Sequence, residues 1–210
     1  MKKKVLVLGG GPHSKVCIDI MLHSDDYEVA GVIDKDGQAP FGIPVIGTDD
    51  SADTLRELGF SYAFVAIGSN TIRKKVSERA LSVGMELVSL IADDAIISEF
   101  ASIGDGVLIN HGAIVNAEAS IGDGTILNTG CTVDHDCVIG QYCHIAPGTH
   151  ISGSSKVGDQ TFLGTGTSVI DGITIGKRVM VGAGAAVVQN LPDNCTAVGV
   201  PAKVIRNNEE

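Results

Sequence analysis

Residues 121–151 read IGDGTILNTGCTVDHDCVIGQYCHIAPGTHI, and every sixth residue of this stretch, counted from Ile121, is isoleucine, leucine or valine. The same period holds from Ile103 to Val187, and the residue two places before each of these positions is usually small. Chance produces such a run with a probability on the order of 10⁻⁸. Hexapeptide repeats are typical of parallel β-helices, in which each aliphatic side chain points into the core.

A second period, of eighteen residues, appears directly after the aliphatic positions. It is marked by Gly104, Gly122, Gly140, Gly158 and Gly176. Asn110 and Asn128 belong to another face. Glycine and asparagine tolerate a left-handed backbone, so we expect these residues to form corners. Three hexads per coil predict a triangular β-helix of about five coils, roughly 25 Å tall. Cys131, Cys137 and Cys143 occupy small inward positions, where we expect apolar core fillers.

The first 88 residues show a different pattern, in which strand-like runs alternate with helix-like runs. The segments KVLVLGG, YEVAGVID and SYAFVAIGSN predict buried strands, and helices are predicted over Ala52–Leu58 and Thr71–Val83. This alternation predicts a small parallel sheet of the Rossmann-like α/β class. The sequence therefore predicts two domains, a Rossmann-like domain at 1–88 and a β-helix domain at 89–210.

A glycine-rich turn, Gly9 to Gly11, separates the first strand from a helix that Pro12 is expected to open. Backbone N–H groups at such a turn bind phosphate, and Asp34 ends the second strand, where an acid commonly meets a ribose or base hydroxyl. Ser14 stands where a dinucleotide motif has its third glycine, and 88 residues make only one mononucleotide-binding half. We therefore expect a nucleotide or sugar-nucleotide site rather than an NAD site. A purely structural turn is the alternative.

The charge balance disfavours one class of partner. The chain carries 15 basic and 25 acidic residues, a formal net charge of −10. Nucleic-acid binding needs clustered lysine and arginine, so we expect none. The longest early apolar run, Val5–Leu8, is too short to span a membrane, and the five cysteines lack a secretory context. We expect a cytoplasmic protein with reduced thiols and no membrane insertion.

His135 is the strongest candidate for chemistry. It lies two residues after inward Val133, at a predicted corner, between Asp134 and Asp136. A neighbouring carboxylate can fix the tautomer of an imidazole and raise its basicity. One coil later the equivalent residue is Gly153, which leaves space above the ring. The spacing therefore predicts that His135 is a general base.

A zinc site is the alternative chemistry for the histidines. It would draw on His111, His135, His144 and His150, which fall on different predicted faces. Metal ligands must converge on one point, and this spacing offers no clean triad. We expect no metal.

Several segments together point to a known family: GGGPHSKV, FVAIGSN, ILNTGCTVDHDCVIGQYCHIAPG, FLGTGTSV, VGAGAAV and AVGVPAKVIR. The chain resembles the sugar-nucleotide acetyltransferases of the left-handed β-helix superfamily. Its nearest resemblance is to enzymes that N-acetylate UDP-4-amino-sugars or GDP-perosamine, with sialic acid O-acetyltransferases as relatives. The resemblance implies a left-handed parallel β-helix, a homotrimer with active sites between subunits, and a place in polysaccharide biosynthesis.

The resemblance also implies roles for individual residues. His135 would take a proton from the acceptor amine as this attacks the thioester of acetyl-CoA, with Asp136, often Glu in relatives, as its acidic partner. The residues implied to bind acetyl-CoA are His144, Gly153, Thr165 and Ala183. The residues implied to bind the nucleotide-linked amino-sugar are Gly11, Pro12, His13, Asp34, Lys35, Gly68 and Asn128.

The expected function is therefore acetyl-CoA-dependent N-acetylation of a nucleotide-linked 4-amino-sugar. O-acetylation of a sugar or sialic acid hydroxyl is the alternative in the same class. Two alternatives lie in other classes: a zinc lyase of the carbonic anhydrase type, and a non-catalytic sugar-nucleotide-binding subunit.

Overall fold

A computed structural model describes residues 1–207, which fold into two compact units, Met1–Asp93 and the chain from Asp94 onward. The sequence placed the boundary nearby, between residues 88 and 89, and the role given to each part stays a prediction. Within residues 1–207, no helix combines the length and the apolar character that crossing a membrane requires.

The first unit is a parallel sheet with helices between its strands. In chain order its elements are β1 (Lys3–Leu8), α1 (Ser14–His23), β2 (Tyr27–Ile33), β3 (Val45–Gly47), α2 (Ala52–Leu58), β4 (Tyr62–Val65), α3 (Asn70–Ser82), β5 (Glu86–Leu87) and β6 (Leu90–Ile91). The sheet order is β3-β2-β1-β4-β5. The predicted helix Ala52–Leu58 is confirmed, and the helix predicted over Thr71–Val83 lies one residue earlier.

The strand order sets the place of the site in this unit. Strands β2 and β4 flank β1, so the chain leaves β1 in one direction to form β2 and β3 and crosses back to form β4 and β5. The carboxyl ends of parallel strands meet at one edge, and ligands of such sheets bind in the crevice at the point where the order reverses. The glycine turn after β1 and Asp34 after β2 both lie at this edge.

The second unit is a parallel β-helix with three faces. Face 1 contains β7 (Ile96–Ile97), β10 (Ile114–Val115), β13 (Thr132–Val133), β16 (His150–Ile151), β19 (Ser168–Val169) and β22 (Ala186–Val187). Face 2 contains β8 (Ser102–Ile103), β11 (Ser120–Ile121), β14 (Val138–Ile139), β17 (Lys156–Val157) and β20 (Thr174–Ile175). Face 3 contains β9 (Leu108–Ile109), β12 (Ile126–Leu127), β15 (His144–Ile145), β18 (Phe162–Leu163) and β21 (Met180–Val181), followed by β23 (Cys195–Val198) and β24 (Lys203–Asn207). The stacks of six and five strands on faces 1 and 2 agree with the predicted coil number.

The core of the β-helix follows the six-residue period. Ile109 to Val187 are buried at every sixth position, whereas Ile103 and Ile97 are partly buried. Ile91 is 44% exposed and does not extend the series. Cys131 and its counterparts six and twelve residues later are fully buried in this core, as predicted for apolar fillers. Burial raises the pKa of the Cys131 thiol to about 12, so it stays protonated.

The corner prediction was wrong in one respect. The left-handed residue of each corner lies three places after the aliphatic position, and at six of the fourteen corners from residue 106 to residue 184 it is not glycine: Asp136 has φ 59°, whereas Gly130 has φ 64°. Gly122 and Gly140 are glycines for a different reason, because a Cβ would lie 2.7 Å from backbone atoms of the next coil at Gly122 and 2.7 Å from the Asp159 amide at Gly140. Close stacking, and not backbone conformation, selects glycine there.

Candidate active site

His135 follows β13 at the corner between faces 1 and 2, and its side chain is 60% exposed. Its Nδ1 lies 2.8 Å from Oδ2 of Asp136. A carboxylate can only accept, so Nδ1 carries the proton and donates it. This leaves the lone pair of Nε2 available to a proton donor outside the chain, as a general base requires.

Asp134 supports His135 from the other side. Its Oδ1 accepts a hydrogen bond from the His135 backbone N–H at 2.8 Å and one from Nδ2 of Asn116 at 2.9 Å. These two donors lower the pKa of Asp134 below its ordinary value. Asn116 was not predicted from the sequence. The sequence feature that could have identified it is its position eighteen residues, or one coil, before Asp134.

The two carboxylates change the basicity of His135. The hydrogen bond to Asp136 is the larger cause, and the negative charge of Asp134 the second, of a raised His135 pKa. A higher pKa makes the imidazole a stronger base, but the base is present only above that pKa. The geometry therefore favours proton abstraction at a pH above this raised pKa.

Gly153 is buried one coil beyond His135. A Cβ at this position would lie 2.5 Å from Cε1 and 2.7 Å from Nε2 of the imidazole. The ring itself occupies the space that a side chain at residue 153 would need. The position of His135 therefore depends on a glycine here.

A second cluster lies on face 3 and at the corner that follows it. Nδ2 of Asn128 is 3.1 Å from Nε2 of His144, and the His144 ring packs edge-on against Phe162 with ring centroids 5.2 Å apart. Thr165 and Ala183 are exposed farther along the same corner. Strand β13 and face 1 separate this cluster from His135, so a single chain does not bring the two clusters together.

A cavity of about 400 Å³ lies at the carboxyl-end edge of the sheet in the first unit. Its lining includes six residues that were predicted to bind the nucleotide-linked sugar: Gly11, Pro12, His13, Asp34, Lys35 and Gly68. Ligand sites of this size are common at such edges of parallel sheets. The seventh predicted residue, Asn128, belongs to the second unit.

Asp34 organises the loop that borders this cavity. Its carboxylate accepts hydrogen bonds from the backbone N–H groups of Gly10 at 2.8 Å, Asp36 at 3.0 Å and Gln38 at 3.1 Å. Desolvation acts to raise the pKa of Asp34, but the three donors together lower it. The sequence placed Gly10 in the glycine-rich turn but did not predict its bond to Asp34. A Cβ at Gly10 would lie 1.7 Å from the Gln38 carbonyl oxygen, so only glycine permits this loop.

His13 lies between the cavity and a buried arginine. Burial, followed by the positive charge of Arg73, lowers the pKa of His13 to about 4, so the ring is neutral at physiological pH. Arg73 is 1% exposed and donates to the carbonyl oxygens of Ile67 and Gly68 at 3.0 and 3.1 Å. It therefore fixes the cavity-lining segment after β4. A buried arginine carries no distinctive sequence signal, and it was not predicted.

Both units of the chain match known protein families. Residues 4–80 match the PglD N-terminal domain, and residues 118–153 match the bacterial transferase hexapeptide (six repeats). A variant of perosamine N-acetyltransferase from Caulobacter crescentus, in complex with CoA and GDP-perosamine, is 43% identical over 97% of both chains, with a TM-score of 0.92. This chain belongs to the sugar-nucleotide N-acetyltransferase family.

Two further relatives agree with this assignment. The acetyltransferase domain of PglB from Neisseria gonorrhoeae FA1090, in complex with acetyl coenzyme A, is 37% identical over 98% of this chain and 100% of that chain, with a TM-score of 0.92. UDP-N-acetylbacillosamine N-acetyltransferase of Bacillus subtilis (strain 168) is 38% identical over 111 residues, 51% of each protein. The alignment therefore spans about half the length of that curated relative.

Family membership confirms the predicted fold class, a Rossmann-like α/β sheet followed by a left-handed parallel β-helix of hexapeptide repeats. It also confirms the predicted enzyme class, an acetyltransferase that uses acetyl-CoA. The roles assigned to individual site residues stay predictions.

The structure corrects one expectation about the candidate sites. Pro12 does not open helix α1: it lies in a turn closed by a hydrogen bond from the Ser14 N–H to the Gly11 carbonyl oxygen at 2.9 Å, and the helix begins at Ser14. Within residues 1–207, no three His, Cys, Asp or Glu side chains are grouped as a metal site would need. Nδ1 of His111, one of the four histidines considered for zinc, lies 2.7 Å from Oδ1 of Asp94.

Proposed function

We propose that this chain transfers the acetyl group of acetyl-CoA to the amino group of a nucleotide-linked 4-amino-sugar. The observation that carries the proposal is the exposed imidazole of His135, whose Nδ1 is held 2.8 Å from Asp136 and whose Nε2 is directed away from that carboxylate. The relatives bound to CoA with GDP-perosamine, or to acetyl coenzyme A, support this choice of substrates.

The chemistry needs one base and no acyl-enzyme intermediate. Nε2 of His135 takes a proton from the amine as the amine nitrogen attacks the thioester carbonyl carbon. A C–N bond forms, the tetrahedral intermediate collapses, the C–S bond breaks, and the CoA thiolate takes up the proton. Asp136 holds the ring and stabilises the imidazolium that exists between these two proton transfers.

We assign the cavity of the first unit to the nucleotide. The residues assigned to it are Gly11, Pro12, His13, Asp34, Lys35 and Gly68. Lys35 is exposed and supplies a positive charge for the phosphates, whereas neutral His13 supplies a hydrogen bond. The carboxylate of Asp34 already accepts three backbone hydrogen bonds, so it acts mainly by shaping the loop.

We infer that the protein works as a homotrimer. In one chain, face 1 separates His135 from Asn128 and His144, and a ring of copies can bring the His135 corner of one next to the Asn128 corner of another. Val138 and Met180, 45% and 53% exposed on faces 2 and 3, support burial of these faces between copies. Acetyl-CoA would then lie between two copies, in contact with His144, Gly153, Thr165 and Ala183, while Asn128 reaches the sugar.

We also place the protein in the cytoplasm, in the synthesis of polysaccharide. The five cysteines are free and buried, as is usual in a reducing compartment. Nucleotide-linked sugars are the activated donors from which such polymers are made, which supports this setting.

The decisive experiment measures thiol release from acetyl-CoA with a panel of UDP-, GDP- and dTDP-linked 4-amino-sugars. We expect release that depends on one acceptor and that falls by about 10²- to 10⁴-fold in His135→Ala, the range for loss of a general base. His150→Ala is the matched control, because His150 is also an exposed histidine of the β-helix, and its Nδ1 lies 3.0 Å from the hydroxyl oxygen of Thr132.

Three outcomes would redirect the proposal. Release only with a hydroxyl acceptor, such as unlinked sialic acid, would assign the protein to O-acetylation. Tight binding of a sugar nucleotide without release would identify a non-catalytic binding subunit. Full activity in His135→Ala, or activity that requires added zinc, would remove His135 from the role of general base.

A further inference from the structure

Asn110 is a buried asparagine, 1% exposed, at the corner after β9. The backbone N–H of His111 donates to Oδ1 of Asn110 at 2.7 Å. A backbone N–H can only donate, so the oxygen of this amide must lie there and the NH₂ group must face the other way. That NH₂ group donates to Oδ1 of Asn128 and to Oγ1 of Thr129, at 3.0 Å each.

The next amide of the network is fixed in the same way. Oδ1 of Asn128 accepts from the Thr129 backbone N–H at 2.9 Å as well as from Asn110. The NH₂ group of Asn128 must therefore face His144, whose Nε2 is 3.1 Å away. An NH₂ group can only donate, so Nε2 of His144 accepts, and the proton of the neutral ring is on Nδ1.

The fold does not require asparagine at this place. The residues that occupy the same corner position in later coils, at intervals of eighteen, are Asn128, Ala146, Gly164 and Gly182. Alanine and glycine are thus compatible with the corner. Burial of an amide costs free energy unless all its groups are bonded, so Asn110 with three hydrogen bonds points to a demand beyond stability.

We propose that Asn110 is a positioning residue that acts through Asn128 to hold His144 in the tautomer protonated at Nδ1. The consequence for catalysis rests on the proposed function, in which Asn128 contacts the acceptor sugar and His144 contacts acetyl-CoA. The network couples these two contacts in one rigid arrangement, because a rotation of the Asn128 amide would place two donors or two acceptors against each other. Ligand binding then requires no reorientation of either side chain.

The test observes the tautomer directly. The protein is labelled with ¹⁵N-histidine, and the ring ¹⁵N signals of His144 are assigned as those that disappear in a His144→Gln variant. The chemical shifts of these two signals tell which ring nitrogen carries the proton. We expect Nε2 to be unprotonated in the wild type. Asn110→Ala places at residue 110 the side chain found at residue 146 and removes one of the two donors to Oδ1 of Asn128, while the Thr129 N–H still donates. The Asn128 amide is then held less firmly, and the His144 signals should show a population of the second tautomer that the wild type lacks. The KM for acetyl-CoA should rise by about 10-fold, as expected for one lost hydrogen bond.

Ser155→Ala is the matched control. Ser155 is also a fully buried polar residue of the β-helix, with its hydroxyl bonded to the Ile170 carbonyl oxygen at 3.0 Å and to the Ile173 N–H at 3.3 Å. Its replacement should lower the melting temperature without changing the His144 signals or the KM. If Asn110→Ala does not fold, Asn128→Asp replaces the donor that faces His144 with an acceptor and should move a proton onto Nε2.

The outcomes separate this inference from the proposed function. A wild-type His144 protonated at Nε2, unchanged signals in Asn110→Ala and Asn128→Asp, or the same change in Ser155→Ala would each overturn the positioning role, even in an active acetyltransferase. A protein that transfers no acetyl group but shows the expected tautomers would contradict the proposed function and keep the network.

Discussion

The pair His135–Asp136 and the pair His111–Asp94, both on the β-helix, look alike in isolation. Nδ1 of His135 is 2.8 Å from Asp136, and Nδ1 of His111 is 2.7 Å from Asp94. Both imidazoles occupy the same position of a hexad, two places after the inward aliphatic residue, and both are partly exposed. A search for histidine–carboxylate pairs alone would not tell them apart.

Their surroundings differ. One coil beyond His135 lies Gly153, so close that the imidazole fills the space of a missing side chain, whereas the residue one coil beyond His111 is Thr129. The backbone N–H of His135 donates to a second carboxylate, that of Asp134. The backbone N–H of His111 instead donates to the neutral amide oxygen of Asn110. The pKa of His135 is raised by both of its acids. The two pairs therefore differ less in their own geometry than in the coils around them, and these surroundings favour His135 as the proposed base.

After the loss of the His135 imidazole itself, the largest effect should come from Gly153→Ala. The added methyl group would lie 2.5 Å from Cε1 of His135, so the imidazole must move. A displacement of about 1 Å at a reacting group costs about 10²-fold in rate, and we expect a loss of kcat of this order. Thiol-release kinetics and a melting curve measure the two effects separately. An unaffected kcat in a folded variant would show that the close contact with Gly153 does not distinguish the His135 pair from the His111 pair.

The second effect is a shift of the pH profile in Asp136→Asn. Asp136 is the main cause of the raised His135 pKa, so its neutral replacement lowers that pKa. In the wild type, activity is lost as the pH falls through the His135 pKa, because the base becomes protonated. The ascending limb of kcat/KM should therefore move to lower pH in the variant, with a fall of about 10-fold at the plateau as the weaker base reacts more slowly.

Asp94→Asn is the matched control for this shift, since it makes the same change in the other pair. The ascending limb should stay in place. If Asp94→Asn moves the limb and Asp136→Asn does not, the general base is His111 and the assignment of His135 is wrong.

A smaller effect is expected from Asn116→Ala. Asn116 donates to Asp134 at 2.9 Å and is one of two donors that lower the pKa of that carboxylate. Its loss leaves the bond from the His135 backbone N–H, so the corner stays formed with less constraint. We expect kcat to fall about threefold to tenfold, the cost of one hydrogen bond. Unchanged kinetics would show that Asp136 alone positions His135.

Much of this comparison could be predicted from the sequence. The six-residue period predicts the β-helix, the inward-facing cysteines and the position of His135 at a corner, because a strict repeat fixes which side chains face the core. The strand–helix alternation gave the parallel sheet, and the glycine turn with Asp34 gave six residues that line its cavity. These features depend on local spacing, which a single sequence displays.

The remainder depends on contacts between coils or on burial. Asn116 and Asn110 act on residues eighteen positions away, and Gly10 is required by the Gln38 carbonyl oxygen across a loop. In the sequence, Arg73 is indistinguishable from a basic residue on the exposed face of a helix, whereas in the structure it is buried. The left-handed corners were misplaced because Asp136 and Tyr142 adopt a conformation that sequence reasoning reserves for glycine and asparagine.

The smallest effect, and the sharpest control, is expected from His111→Ala. The side chain of His111 bonds Asp94 at the surface, and partly exposed pairs of this kind contribute little to stability. The contact that matters at this residue is its backbone N–H to Asn110, which alanine keeps. Activity should stay within about twofold of the wild type, below the change caused by loss of even one hydrogen bond. A loss comparable to that of His135→Ala would show that both pairs take part in the reaction, and the surroundings of His135 would no longer explain the choice of base.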